Sequence, residues 1–192
     1  MERFWHAFIP LFVAFDSVGM LPLYWGLAHR LSRRERRRAV VEAVGTALWV
    51  AVGFLLVSRF VFALMGLQLA DVMIAGGGIL LVICLRDLLL PESLPEGHYP
   101  SPGVVPLGVP LLSGPAVLTT LLLVRDQHGW GMTLLALAAN LAVIWAVLQA
   151  ADRLMRLLGQ HGAAVISKIA NLVLTAFGVM LIRKGLTHVV AP

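Results

Sequence analysis

The sequence predicts an all-α, polytopic membrane protein: six transmembrane helices forming two inverted three-helix repeats, with helices 1 and 4 broken at mid-membrane. Three observations predict it. Of the 192 residues, 59 % are hydrophobic and 13 % charged, where soluble domains are near a quarter charged. The apolar residues fall into six runs, each close to the roughly 20 that a spanning helix needs. The first run of each set of three carries Gly and Pro near its middle. Continuous apolar runs exclude a closed β-barrel, whose strands alternate.

The first run extends from Phe4 to Leu27. Met1-Glu2-Arg3 ahead of it lacks the basic region of a secretory signal, and no small-residue cleavage site is evident, so this run is expected to be retained. The second runs from Ala39 to Met65 and the third from Leu69 to Leu90. Residues 91–103 are rich in Pro and Gly and read as the main linker. The fourth run is Val104 to Val124, the fifth Gly129 to Ala151, the sixth Ala163 to Val190. The expected organisation is thus a first repeat over 1–90, a cytoplasmic linker over 91–103 and a second repeat over 104–192.

The net charge of +5 is concentrated. Arg30 to Arg38 holds six arginines and Glu35, or +5, and the rest sums to zero (9 − 9). The segment reads as a loop between spans one and two, which the positive-inside rule assigns to the cytoplasm. Alternation then puts the linker, Arg153 and Arg156 inside and both termini outside. Anionic lipid is the expected partner of the basic loop. Nucleic acid is not, because the exposed aromatic platform of single-strand binders is missing. Cys84 is the lone cysteine, so no intrachain disulfide forms.

Two halves of opposite topology are a common transporter design. Ile74-Ala75-Gly76 echoes Ile169-Ala170-Asn171, and Pro10 to Val13 echoes Pro106 to Val109. In lipid, helix breaks persist only where protein or a polar cavity satisfies the freed backbone groups. Asp16 is about 18 Å down the first run and Ser113 about 14 Å down the fourth, at ~1.5 Å per residue. Both breaks are expected near the midplane of a hydrocarbon core of ~30 Å. Half-helix ends meeting there suit a small zwitterion or ion.

These motifs also carry a likeness. Asp16-Ser17-Val18-Gly19 with Leu21-Pro22-Leu23, the basic segment Arg33 to Val40, Ile74 to Leu81, and Pro106 to Pro115 followed by Thr119-Thr120 resemble four blocks of MarC-family membrane proteins. The likeness runs in order over nearly the whole chain. It implies a six-span protein of the bacterial inner membrane, and some family members are described as transporters of small neutral amino acids. The family is named for an antibiotic-resistance locus, which does not establish drug export. Ser17 stands where the family usually has Pro, and Asn171 where Gly is common.

The candidate substrate-binding residues are Asp16, Ser17, Gly19, Ser113, Gly114, Pro115, Thr119 and Asn171. An intramembrane carboxylate costs about 2.5–3.5 kcal/mol on insertion scales, so Asp16 is expected to face a cavity or a partner. It binds a substrate ammonium or coupling cation, or else it is protonated or caps a broken helix. Ser113, Gly114, Pro115, Thr119 and Thr120 offer amides and hydroxyls to a carboxylate or Na⁺, or else bond within their own helix. Gly76-Gly77-Gly78 reads first as a helix contact, with Asn171 facing Gly76. Asn140 and Gln149 read as interhelical glue, and Lys168 as snorkelling. Trp5, Trp25 and Trp130 suit interfacial belts, whereas Trp49 and Trp145 are expected to pack inside.

The function expected is secondary transport of small neutral amino acids or similar small polar solutes, with Na⁺ or H⁺ coupling open. The alternatives are an accessory or structural membrane protein and a drug efflux protein. No metal site, cofactor or catalytic residue is expected: the six histidines are scattered, and no His-Glu-x-x-His or Gly-x-Ser-x-Gly occurs. The chain is expected as a monomer, or as a homodimer through the small residues around Ala43, Ala47 and Ala51.

Overall fold

A computed structural model describes residues 2–17, 20–28, 31–89, 108 and 112–190. Gly19 and the 91–103 linker lie outside the described residues. Among the described residues all regular structure is helical. The elements are α1 (Glu2–Phe15), α2 (Leu21–Ala28), α3 (Arg33–Met65), α4 (Leu69–Leu89), α5 (Pro115–Gln149) and α6 (Ala151–Val190). Four of them, α3 to α6, contain a stretch long and apolar enough to cross a membrane.

The first apolar run is divided. α1 ends at Phe15, and α2 begins at Leu21. At ~1.5 Å per residue the two helices measure about 21 and 12 Å, so neither alone crosses ~30 Å of hydrocarbon. Asp16 takes φ 46, a left-handed conformation that Asp tolerates better than most residues. It is the only non-glycine with positive φ among the described residues.

α3 corrects one expectation. The basic segment from Arg33 onward is not loop but the start of a 33-residue helix. Ser32 caps it: its hydroxyl accepts from Glu35 N, and the Glu35 carboxylate accepts from Ser32 N at 2.8 Å. This reciprocal capping box satisfies two helix-terminal donors. The same bonds hold the Glu35 carboxyl, ahead of the apolar part of α3, below the usual carboxylate range. Arginine is itself a good helix former.

Further along α3 the small residues face inward and the large ones outward. Ala39, Ala43, Ala47 and Ala51 are buried, whereas Leu48, Trp49, Leu56 and Phe60 are exposed. Small residues let backbones approach, which is how helices associate in lipid. So many large exposed side chains would form an aggregation-prone patch in water, whereas lipid solvates them. Two expectations change accordingly. Ala43, Ala47 and Ala51 are buried within the chain and are not available to a second copy. Trp49 is 78 % and Trp145 47 % exposed, so both project toward lipid.

α5 and α6 are each interrupted by one glycine. Gly129 (φ 77, ψ 173) divides α5, and Gly159 (φ 65, ψ 172) divides α6. Residues 151–158, between the fifth and sixth apolar runs, are helical up to Gly159.

α4 packs chiefly on α6, α1 on α5, and α3 on α5. The α4–α6 contact centres on two glycines. A Cβ on Gly77 would lie 2.6 Å from the Gly178 carbonyl oxygen and 3.1 Å from Ile182 N. A Cβ on Gly178 would lie 3.0 Å from the Gly77 carbonyl oxygen and 3.4 Å from Leu81 N. The two environments are reciprocal, as at a local twofold axis.

Two arginines tie remote parts of the chain. The Arg36 guanidinium donates to both Asp152 carboxylate oxygens at 2.8 and 2.9 Å and through Nε to the Leu31 carbonyl at 3.0 Å. Arg125 donates to the Leu55 carbonyl at 3.0 Å, reaches Ser58 Oγ at 3.5 Å and lies over the Trp130 ring.

Candidate functional site

The first break is built around Asp16. Its N–H donates to the Val13 carbonyl at 3.1 Å, and its carbonyl accepts from Met20 N at 3.1 Å. The carboxylate is half-buried. Ser17 follows at 2 % exposure, and its hydroxyl has no hydrogen-bond partner among the described residues.

The second break precedes α5. Ser113 is in a turn and Gly114 is extended (φ −72, ψ 170), serving as N-cap without a side-chain capping bond. Pro115 takes the first helical position, where its missing N–H costs nothing. Ser113 is 6 % exposed, and its hydroxyl too lacks a partner among the described residues. Ala116 and Val117, whose amides are among the unbonded donors of a helix start, are both buried. The positive end of α5 is thus enclosed beside an orphaned hydroxyl, an arrangement suited to a carboxylate or another anion.

A third orphaned atom is Asn140 Oδ1, on a residue 1 % exposed. The Asn140 amide nitrogen donates to the Ala136 carbonyl at 2.9 Å and to the Phe8 carbonyl in α1 at 3.2 Å. The second bond is the glue expected of it, but the free oxygen adds an acceptor that glue does not need. Leaving a buried polar atom unpaired costs about 1–3 kcal/mol. Ser17, Ser113 and Asn140 are the residues with such atoms among those described, and two of the three fall in the break motifs.

The remaining candidates divide. Thr119 is buried with its side chain against Gly76 of α4, so it joins the second break to the Gly-rich helix. Thr120 donates its hydroxyl to the Ala116 carbonyl at 2.7 Å, a bond within its own helix. Asn171 is half-buried, its carbonyl accepts from the Thr175 hydroxyl, and Thr119 instead occupies the space at Gly76. In the packed register Gly77 opposes Gly178, so the Ile-Ala-Gly echo does not predict which residues meet. Ser17 and Ser113 do not bond each other. Two cavities, of about 680 and 420 Å³, are lined by neither Asp16, Ser17 nor Ser113. Arg125, whose tie to α3 lies at the far end of the second broken run, carries no signal in the sequence beyond a basic residue between two apolar runs.

Known proteins can now be compared. The family described as "MarC family integral membrane protein" matches residues 1–190. The UPF0056 inner membrane protein YhgN of Escherichia coli is 28 % identical over 193 residues, covering 97 % of each chain. A UPF0056 membrane protein of Methanocaldococcus jannaschii is 27 % identical over 195 residues, covering 94 % of this chain and 85 % of its own. One from Pyrococcus abyssi is 24 % identical, with 97 % and 95 % covered. No solved structure matches. Long apolar helices with lipid-suited outer faces, two interrupted apolar runs and a match over nearly the full length agree: the chain belongs to the MarC family of integral membrane proteins.

Proposed function

We propose that the protein is a secondary transporter of small neutral amino acids or similar small polar solutes, a carrier rather than an enzyme. The observation that carries this reading is the pair of buried, orphaned hydroxyls at Ser17 and Ser113, one in each break motif. A polar substrate held between the breaks would satisfy both. Its ammonium suits the Asp16 carboxylate, and its carboxylate suits the α5 N-terminus. Coupling to H⁺ would use Asp16; coupling to Na⁺ would use hydroxyl and carbonyl oxygens.

Six spans follow if α1 with α2 counts as one, α5 divides at Gly129, and α6 crosses after Gly159. The contacts support two inverted repeats. Exchanging the first three spans with the last three turns the α1 contact with late α5 (Asn140 to Phe8) into the α3 contact with early α5 (Arg125 to Leu55). The same exchange turns the α6 contacts of α1 and α2 into the α4 contact with α5, and returns α4–α6 to itself. The termini are then extracytoplasmic and the arginine turn cytoplasmic.

The test is uptake of labelled glycine, alanine and serine into proteoliposomes, with and without Na⁺ or H⁺ gradients. Saturable flux that Asp16→Asn lowers at least tenfold is expected. No flux for any of the three, with Asp16→Asn indistinguishable, would overturn the reading. One observation favours a second reading, a structural membrane protein whose breaks are packing devices: the Ser17 and Ser113 hydroxyls are enclosed. That reading predicts no solute binding and lower stability when either serine is replaced.

A further inference from the structure

We propose that the 680 Å³ cavity between the start of α3 and the α5–α6 junction binds a phosphate-bearing anion of phospholipid-headgroup chemistry. Its volume falls within the roughly 300–1,000 Å³ of small-molecule sites. Arg33, Arg36 and Arg37 line it from α3, and Arg153 and Arg156 from α6. The one acidic group in the lining, Asp152, is engaged by Arg36 through both carboxylate oxygens. That ion pair holds the two arginine groups on opposite sides of one space. Arg33, Arg37, Arg153 and Arg156 are exposed and make no ion pair with another described residue.

Four uncompensated guanidinium groups converging on one cavity repel each other. A dianion between them removes that repulsion, and guanidinium forks match phosphate oxygens two at a time. Ser32 and Glu35 already occupy two of the α3 N-terminal donors, Ser32 N and Glu35 N, and the cationic groups that line the cavity are arginine side chains. The binding groups are therefore side chains, and charge selects the ligand. The wall opposite is apolar and aromatic: Trp145, half exposed, and the buried Leu148 and Tyr24. A basic pocket beside the exposed Trp145 ring fits a headgroup whose chains remain in the bilayer.

The test uses the purified full chain in mixed micelles. Phosphatidylcholine alone, phosphatidylcholine doped with phosphatidylglycerol or cardiolipin, and inorganic phosphate without anionic lipid form separate arms. Retained lipid is read by native mass spectrometry, and affinity by titration of tryptophan fluorescence. The anionic lipids should bind at least tenfold more tightly than phosphatidylcholine. The pair Arg153→Gln with Arg156→Gln, which removes two guanidinium forks from the cavity, should weaken them about tenfold or more. The off-site pair Arg34→Gln with Arg38→Gln, which removes equal charge outside the cavity, should weaken them less than twofold. Arg153→Lys with Arg156→Lys keeps the charge and should fall between. Helical circular dichroism confirms that each variant is folded. Inorganic phosphate binding as tightly as lipid, with the same dependence on Arg153 and Arg156, would support the phosphate site and assign it to a soluble ligand. Equal losses in the two Gln pairs, or no selectivity over phosphatidylcholine, would overturn the proposal.

Discussion

Replacing Gly77 by Ala tests the backbone contact of α4 with α6. The new Cβ would stand 2.6 Å from the Gly178 carbonyl oxygen, 2.9 Å from Ile182 Cγ1 and 3.1 Å from Ile182 N. Two of the three atoms are backbone, so no side-chain rotation relieves the clash. Carbon–oxygen contacts settle near 3.3 Å, so α4 and α6 must separate locally by about 0.7 Å. A radial gap of that size forfeits about a quarter to a half of each dispersion well along the contact. Overpacking of this kind costs about 1–3 kcal/mol, and replacing a helical Gly by Ala returns about 1 kcal/mol. The net loss expected is about 0–2 kcal/mol, nearer the upper end because the clash is with backbone. Gly78 is the control, because a Cβ there meets nothing within 4 Å. Gly178→Ala, with its nearest contact at 3.0 Å, should fall between. The assay is thermal unfolding of the purified protein in one detergent at one scan rate. The expected order of melting temperatures is Gly77→Ala below Gly178→Ala, and both below wild type and Gly78→Ala. Gly77→Ala melting with or above Gly78→Ala would refute the reasoning, because α4 and α6 would then not approach as closely as the structure has them.

Three further outcomes are expected. A double-mutant cycle on Arg36→Ala and Asp152→Ala should give a coupling energy of about 1 kcal/mol or less, since the side chains are 23 % and 47 % exposed and partly screened pairs are worth little; additive losses would mean the ion pair does not hold the two ends together. Ser32→Ala should cost about 1 kcal/mol through the lost cap, read as faster amide exchange confined to the first turn of α3; exchange unchanged there would remove the capping box from the account. Ser17→Ala and Ser113→Ala delete hydroxyls that lack partners, so stability should hold or rise by up to about 1 kcal/mol while solute uptake falls; a loss of stability in both would favour the structural reading.

The physics of single residues explains which parts of the fold were legible. The boundaries of α4 were, because apolar length, Leu69 and Leu89 are local facts. The first break was too: an acidic residue, a serine and a glycine in an apolar run have few uses other than interruption. The start of α3 was misread as loop although Ser32 and Glu35 have capping-box spacing, because charge suggested a topology signal and obscured a helix signal. The contact of Thr119 with Gly76 was not legible, since it depends on how α4 and α5 are rotated toward each other. Trp49 was misjudged because lipid, unlike water, accepts an indole facing outward. The orphaned atoms are the least legible feature. The Ser17 and Ser113 hydroxyls and the Asn140 Oδ1 differ from the Thr120 hydroxyl in lacking a partner among the described residues, which is a property of the packing around them.

The two arginine ties acquire a common meaning on the carrier reading. Arg36 sits between the first and second runs and reaches the junction of the fifth and sixth. Arg125 sits between the fourth and fifth and reaches the second, at Leu55 and Ser58. Their chemistry differs. The Arg36 tie is a bidentate ion pair, and the Arg125 tie ends on a backbone carbonyl and a hydroxyl. Both ties have an ionised donor and are charge-assisted, but Asp152 is half exposed and its bond is partly screened. On the carrier reading, alternation of the halves about the Gly77–Gly178 contact would require each tie to release while the other holds. On that reading, two ties, one a partly screened ion pair and the other part-buried with uncharged acceptors, would let that exchange proceed. Raising ionic strength should weaken the first and spare the second. Salt would then shift the balance toward opening at the Arg36 end, measurable as faster labelling of a cysteine placed beside Asp152 than of one beside Ser58.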